Sequence, residues 1–569
     1  MNLYHLSEMD LFSEHSSMMQ AHVSVVHHPR IAQKDPTSLD GMFENPLLFE
    51  NRIQSQILEG NYAECRNLIK QIPSKQFKNT PVLMIYDAII NSFGNFSSAE
   101  INRLLSHTEE LDSDQKLTGE VTAVRALVQS YLGNQEQAIQ LSHKALNKIA
   151  PENTFFRQLI ERNLGIAYAI RGQLRESAKW HENLLLSSYK LQDDHGILAA
   201  YNHLTYIRKV QGRLKEAEVI YKKAMAYIQD YGLEEYPHSI KIMAGYGHLL
   251  MQWHEIEQAK IYLRKAIQLA KLTDILLAQK AYRDLSEVFI REHDLRSALV
   301  NIQEFRQILQ RNNSSYYQLI NHLLRATEAR IHLEAGRIDQ ANTWLISSGF
   351  EKFTAQELYS KFGDQLGYLL PIAVRIFLEK HQPERALKIL KATLPKYLHA
   401  GANTYLIRGL NAQALTYQAI GENPKAIKSL LKAVDLAEPE GNLGDFIFVG
   451  QNLMPLLYEI KQSGIETEFC SNLLTIFSNF SKRRLASETL MHTIDPLSNR
   501  ELDVLQLIAK GMTNREIAGK LYLSANTIKS HSIKIYRKLN VNNRSQAVSK
   551  ARMLGILPSK LSAPFHAST

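Results

Sequence analysis

The sequence predicts an all-α protein in two parts: a long solenoid of paired helices, then a small and strongly basic helical module. Three observations carry this. A short turn pattern recurs about every forty residues over most of the chain. Two helix-start signatures of the form Ser/Thr-x-x-Glu stand close together near the C-terminus. The net charge of +9 is concentrated there. From Lys482 onward 15 Lys and Arg face 5 Asp and Glu, and the remaining 51 basic and 52 acidic residues nearly cancel.

Each repeat is read from two residues five apart. A helix-breaking or polar residue opens a turn, and a small residue starts the next helix. The pairs are Gly60/Cys65, Gly94/Ala99, Gly133/Ala138, Gly172/Ser177, Gly212/Ala217, His254/Ala259, His293/Ala298, Gly336/Ala341, His381/Ala386 and Gly421/Ala426, at intervals of 34 to 45 residues. Glycine ends one helix in a left-handed cap, and the small side chain lets two helices approach. Pro383 and Pro424 follow their turns at helix starts, where proline is tolerated. Ten such units read as a tetratricopeptide-like helical-hairpin solenoid, whose concave face is a binding surface. Trp180, Tyr201, Tyr206, Tyr221, Tyr246 and Trp253 recur at helical spacing and are expected in packing rather than in a ligand cage. His181, His203 and His248 lack metal-ligand spacing, and His22, His27 and His28 lie in an irregular N-terminal stretch, so no metal site is expected.

The expected organisation is an irregular tail or cap over 1–45, the repeat domain over 46–480, a linker over 481–495, the basic module over 496–558 and a tail over 559–569. The linker begins at Lys482-Arg483-Arg484. Cys65 and Cys470, far apart, suit a reducing cytosol. The most apolar stretch, Tyr368 to Leu378, is broken by Pro371 and Arg375. Glu8, Asp10 and Glu14 argue against a signal peptide. A cytoplasmic location without membrane contact is the expectation. Phosphate loop, metal-spaced cluster, nucleophile elbow and triad are all missing, as are the alternating strands of a receiver domain. The chain is therefore expected to be no enzyme and to need no cofactor.

In the basic module, Ser498 to Glu501 forms a capping box, followed by the apolar face Leu502, Leu505, Leu507 and Ile508 and a stop at Gly511. Thr513-Asn514-Arg515-Glu516 repeats the box before Ile517, Ala518 and Leu521. Ser524 caps a third helix whose inner stripe is Ile528, Ile535 and Leu539. Its opposite face displays Lys529, Ser530, Ile533, Lys534 and Arg537. A narrow apolar stripe backed by a basic face is what a major groove admits, although lysine faces are often only solvated.

These residues carry a family resemblance. The texts Leu497-Ser498-x-Arg500-Glu501-x-x-Val504-Leu505, Ile508-Ala509-x-Gly511-x-x-Asn514-x-Glu516-Ile517-Ala518, Leu523-Ser524-x-x-Thr527-Ile528-Lys529-x-His531 and Lys538-Leu539-x-Val541-x-x-Arg544 resemble the LuxR-type helix-turn-helix domain over its whole length. The resemblance implies a four-helix domain. Its third helix reads double-stranded DNA, and its fourth, about Arg544 to Leu554, pairs two domains on a dyad site. By position it implies base-edge and nearby phosphate contacts from Lys529 and Ser530, and backbone phosphate contacts from Thr527 and Arg544. His531 stands at the boundary of that face. Ile533 departs from relatives with a polar residue there. Thr513, Asn514, Ser524 and Asn526 at the helix starts, with Lys534 and Arg537, complete the candidate DNA-binding set.

The repeats together with this domain resemble MalT-like regulators, in which a helical sensor binds an inducer and an ATPase module drives assembly. No Gly-x-x-x-x-Gly-Lys-Ser/Thr loop occurs here, and the residues before about 46 are too few for a nucleotide-binding domain. The implied function is a bacterial LuxR-family transcription regulator, dimeric on DNA. A small-molecule or protein effector of unknown identity would control it through the repeats, and RNA polymerase is a further implied partner. The alternative is a helical-repeat adaptor whose C-terminal domain mainly dimerises.

Overall fold

The computed structural model describes residues 46–557 apart from 59–61, 74–76, 78, 93–97, 312–315, 466, 493–496, 540 and 554–555. Packing divides the chain into Met1–Arg52 and Ile53–Thr569. The described part of the first unit is the opening of helix α1 (Pro46–Leu58). The account below concerns the second unit, in which every regular element among the described residues is helical.

Helices α2 (Tyr62–Lys70), α3 (Pro81–Ser92) and α4 (Ser98–Leu111) lead into regular hairpins. These pair α5 (Thr118–Tyr131) with α6 (Gln135–Leu146), α7 (Thr154–Ile170) with α8 (Leu174–Leu191), and α9 (Asp194–Val210) with α10 (Leu214–Tyr231). They continue with α11 (Pro237–Gln252) and α12 (Ile256–Leu272), α13 (Gln279–Arg291) and α14 (Leu295–Arg311), and α15 (Tyr316–Glu334) and α16 (Ile338–Ser348). After a short α17 (Ala355–Phe362), two more hairpins join α18 (Leu366–Glu379) to α19 (Pro383–Ala400) and α20 (Asn403–Ile420) to α21 (Asn423–Ala437). Helices α22 (Gly444–Val449), α23 (Met454–Gln462) and α24 (Glu468–His492) close the repeat region.

The turns explain the repeat. At Gly133, Gly172, Gly212, His254, His293, Gly336, His381 and Gly421 the backbone has positive φ, between 55° and 84°. Each chain reversal is closed as at Gly212, where Gly212 N–H donates to Lys209 O and Arg213 N–H to Arg208 O, at 2.9 and 2.8 Å. The small residue five positions after the turn opening is completely buried in all eight cases, from Ala138 to Ala426. Gly60 and Gly94 lie outside the described residues. Pro383 and Pro424 occupy the first turns of α19 and α21.

The first helices of successive hairpins pack side by side, α9 on α11 and α11 on α13, which makes them the inside of the curve. Tyr201, Tyr221 and Tyr246 are core residues, as their spacing suggested.

The curve then returns on itself. Thr404 donates to Lys209 O at 2.5 Å, and the Tyr206 and Tyr405 hydroxyls meet at 3.3 Å. Trp253 donates to Glu440 O at 2.9 Å. Arg291 and Arg330, on α13 and α15, donate to Gly444 O and Phe448 O at the two ends of α22. All six residues of α22 are buried, and the guanidinium groups of Arg330 and Arg408 stand 4.2 and 4.8 Å from the centre of the Phe448 ring. Glu287 accepts from Arg291 and Arg330, and Asp445 from Arg408 and Asn442, so each buried charge has an opposite partner.

The segment read as a linker from 481 is helical as far as His492, because α24 continues through it. Residues 468–492 contain no glycine or proline to stop a helix. The predicted tails, 1–45 and 559–569, lie outside the described residues. Cys65 and Cys470 are buried free thiols. Among the described residues no helix is long and apolar enough to cross a membrane.

Candidate nucleic-acid interface

Four short helices follow: α25 (Asn499–Ala509), α26 (Asn514–Leu521), α27 (Ala525–Lys538) and α28 (Arg544–Met553). Both expected capping boxes are formed. Ser498 N–H donates to Glu501 at 2.7 Å while Ser498 Oγ accepts from Glu501 N–H at 3.3 Å. Thr513 and Glu516 repeat this at 2.6 and 3.4 Å. Ser524 Oγ accepts from Thr527 N–H at 3.1 Å and caps α27. Val504, Leu505, Ile508, Ile517, Ile528, Ile535, Leu539, Ala547 and Ala551 form one core that holds all four helices together.

The surface of α27 is sharply divided. Ile528, Ser532, Ile535 and Leu539 are buried, with Ser532 Oγ–H donating to Ile528 O at 2.9 Å. Asn526, Lys529, Ser530, Ile533, Lys534 and Arg537 are all exposed and recur every three or four residues, which is one continuous face. Ile533 keeps 58 % of its surface accessible, a large apolar side chain within that polar face. Among the described residues, the side chains of Asn526, Lys529, Ser530, Lys534 and Arg537 have no hydrogen-bond or ion-pair partner. This face can offer ammonium, guanidinium, amide and hydroxyl donors to an acceptor-rich surface without breaking an internal contact.

The remaining candidates do structural work within the domain. Thr513 and Ser524 are helix caps, and the Thr527 hydroxyl lies 2.8 Å from Ser524 Oγ. Asn514 is half-buried at the first position of α26. The Arg544 guanidinium turns inward and donates to Ile508 O and Met512 O, at 2.9 and 2.5 Å. It thereby closes the carbonyl end of α25 as well as standing near the expected interface. His531 is half-buried, with its Nδ1 enclosed and unpartnered.

The sequence reading missed two ties and one turn conformation. Arg500 donates to Leu521 O at 2.7 Å and closes the end of α26. Lys538 donates to Glu501 at 2.8 Å, linking α27 to the first capping box. Burial raises the Glu501 carboxyl, but its bonds to Lys538 and Ser498 outweigh this and hold it below the usual range. Tyr522 adopts the left-handed conformation at φ +56° between α26 and α27 with 94 % of its surface exposed. Non-glycine text at that position gives no signal of this conformation.

The family model of the MalT-like TPR region matches residues 119–463, more than half of the chain, and that of bacterial regulatory proteins of the luxR family matches 495–551. The HTH-type transcriptional regulator MalT of Serratia proteamaculans (strain 568) is 23 % identical over 557 residues, covering 93 % of this chain and 59 % of its own length. The MalT protein of Klebsiella pneumoniae subsp. pneumoniae is 23 % identical over 582 residues, with 96 % and 62 % covered. The chain thus spans about three fifths of the length of these curated relatives. A signal transduction ATPase with a tetratricopeptide repeat sensor from Pyrococcus horikoshii aligns at a TM-score of 0.36 and 13 % identity, covering 73 % of this chain and 66 % of that one. The APC/C hetero-tetramer Cut9–Hcn1 aligns at 0.30 and 14 %, with 76 % and 90 % covered. The chain belongs to the MalT-like TPR family and joins that region to a LuxR-type helix-turn-helix domain.

Proposed function

We propose that residues 496–558 bind a dyad DNA site as a dimer, with α27 in the major groove, and that an effector held by the repeats of 46–480 sets the affinity. The observation that carries this is the unpartnered face of α27, where Asn526, Lys529, Ser530, Ile533, Lys534 and Arg537 share one side of a single helix. Lys529 and Ser530 lie in its second turn, the part that meets base edges when a recognition helix enters the groove. Lys534 and Arg537 lie further along the same face, where they meet phosphates. The exposed Ile533 faces a thymine methyl in this reading. Helix α28 supports pairing because Ser545, Gln546 and Ser549 are exposed while Ala547 and Ala551 hold it to the core. RNA polymerase is then the partner that reads out occupancy of the site.

Selection from random duplexes with the full chain, followed by footprinting, tests the proposal. A motif with two half-sites is expected. Lys529→Ala should cost about 1–3 kcal/mol at the selected site and relax base preference there. An adaptor that only dimerises through this domain would enrich no motif.

A further inference from the structure

The last two hairpins of the repeats carry a basic outer face. As second helices of their hairpins, α19 and α21 lie on the outside of the curve, and both pack on α20. Helix α19 holds Arg385, Lys388, Lys391 and Lys396, and α21 holds Lys425, Lys428 and Lys432. Against these cations stand two carboxylates, Glu384 in the first turn of α19 and Asp435 near the end of α21.

The placement follows the repeat. Lys388 stands seven residues after the turn opening at His381, and Lys428 seven after that at Gly421. In the hairpins from α9 to α14 the same place holds Val219, Ile261 and Val300, all exposed. The basic face is therefore a property of these two hairpins and not of the repeat in general. Within each helix the cations form a row, one turn apart: Arg385, Lys388 and Lys391 on α19, then Lys425, Lys428 and Lys432 on α21. Each row covers about 9–10 Å of helix. Like charges at this spacing destabilise a helix, so the rows gain nothing from each other.

The first cation of each row is tied down. Arg385 donates to Gln382 and to Glu351 O at 3.2 and 3.0 Å, and Lys425 meets Glu422 at 2.9 Å. Lys396 donates to Gln356. Lys388, Lys391, Lys428 and Lys432 are exposed and, among the described residues, have no hydrogen-bond or ion-pair partner. Other outer helices set acids against their lysines. On α10 three basic residues face three acidic ones, and Lys222 meets Glu218 at 2.8 Å. Lys260 and Lys271 of α12 reach Glu292 and Glu304. The face of α19 and α21 has no such answer.

We propose that this face is a second DNA-contacting surface, on which Lys388, Lys391, Lys428 and Lys432 take phosphates of the duplex that flanks the site read by α27. The proposal rests on the reading of the C-terminal domain as a DNA-binding module. Two observations favour DNA over an acidic protein. The free charges lie in two straight rows, and a duplex offers about six phosphates in each 10 Å of its length. The face also stands at the end of the repeats that leads to that domain: α21 packs on α23, α23 packs on α24, and α24 is the last helix before α25. Duplex held by α27 is thus present at high local concentration for the face. Phosphate contacts of this kind add affinity and length dependence without sequence preference.

Binding of the full chain to duplexes of about 20 and about 60 base pairs, centred on the selected motif and titrated with salt, tests the proposal. The parent should hold the long duplex about tenfold or more tighter than the short one. Lys388→Gln, Lys391→Gln, Lys428→Gln and Lys432→Gln combined should remove that advantage and lower the salt slope on the long duplex by about 2–4. Footprinting should show flanking protection lost and central protection kept. Lys144→Gln, Lys179→Gln, Lys223→Gln and Lys265→Gln combined remove the same charge from exposed sites on α6, α8, α10 and α12 and should keep the parent's slope. All eight lysines are exposed, so both variants should melt like the parent. The proposal is overturned if the first variant keeps the parent's slope and flanking footprint, which leaves the face to an acidic protein. It is equally overturned if both variants lose slope alike, which makes the effect one of net charge. The two readings separate in the same samples. A selected motif without flanking contact removes this face and leaves the α27 interface. Length-dependent binding that needs the four lysines but selects no motif does the reverse.

Discussion

Two cationic surfaces of the protein are built in opposite ways. On α27 the cations Lys529, Lys534 and Arg537 come from one helix, and all three are exposed and unpaired. On the inner wall of the repeats Arg162, Lys209, Lys241, Lys280 and Arg283 come from four different helices, α7, α9, α11 and α13. There the protein opposes the charges it gathers. Burial lowers Lys209 to about 8 and Lys280 to about 7, in each case against the opposing pull of Asp284. Asp284 itself is raised by burial, but Lys280 at 2.8 Å and His248 beside it prevail and hold it low. An open face of permanent charge suits a long polyanion, whose counterions are released along its length. Enclosed groups near neutrality suit a small ligand whose arrival changes their protonation.

Acid should separate the two regions, and this is the largest effect expected. Burial, with neighbouring cations or imidazoles adding to it, depresses His195, His203 and His248 to about 3, and holds His181 and His238 well below 6.5. A histidine with a depressed folded-state pKa stays neutral in the folded protein and is protonated in the unfolded chain below 6.5. Its contribution is therefore complete above that value and is lost as pH falls below it, by about 1.4 kcal/mol per pH unit for each group. Asp87, raised to about 6 by burial, works in the opposite direction and begins to offset the loss only below pH 6. In the C-terminal domain the shifted carboxylates Glu501 and Glu516 are depressed. Their contribution is present above the ordinary value of 4.5 and fails only below it. Thermal unfolding at pH 7, 6 and 5 should show the repeat transition falling by several degrees per unit while the small domain holds. Parallel movement of the two transitions would break the comparison.

Arg544 and Lys529 sharpen it at a smaller scale. Both were read as DNA contacts, but only Arg544 spends its guanidinium on the carbonyls of Ile508 and Met512. Arg544→Ala should leave those carbonyls open and cost the small domain about 1–3 kcal/mol. Lys529→Ala should change its stability by less than about 0.5 kcal/mol, as exposed sites do. Differential scanning calorimetry at pH 7 distinguishes them. If Arg544→Ala melts like the parent and only weakens DNA binding, its role is the phosphate contact alone.

What could be read from the sequence follows the same division. The turn pairs, the two capping boxes and the exposed face of α27 are set by residues within about a dozen positions of each other, so their spacing is visible in the text. The closure of the solenoid is not. Arg330 reaches the carbonyl of Phe448, and Trp253 that of Glu440, across more than a hundred residues. No local period announces either contact. The histidines are the same case. His181 and His203 were noted singly, yet their rings stack at 4.4 Å, and the His238 ring reaches His203 from another helix. Trp180 and Trp253 were expected in packing, and both are half-buried, with the Trp253 indole N–H used in the closure.

The smallest effect tests whether the turns of both regions obey one local rule. His381 sits at φ +55° in a repeat turn and Tyr522 at φ +56° between α26 and α27, and both side chains are exposed. A side chain in the left-handed region costs about 1–2 kcal/mol, and glycine relieves that strain. Glycine also enlarges the unfolded ensemble, which returns about 0.4–1 kcal/mol. His381→Gly and Tyr522→Gly should each therefore stabilise their own region by no more than about 1 kcal/mol, and by similar amounts. Urea titration resolves a difference of this size when the slope is unchanged. Equal gains would mean that backbone conformation alone governs both turns. A net loss at Tyr522, against a gain at His381, would show that this exposed ring stabilises the helix-turn-helix through contacts that its accessibility conceals.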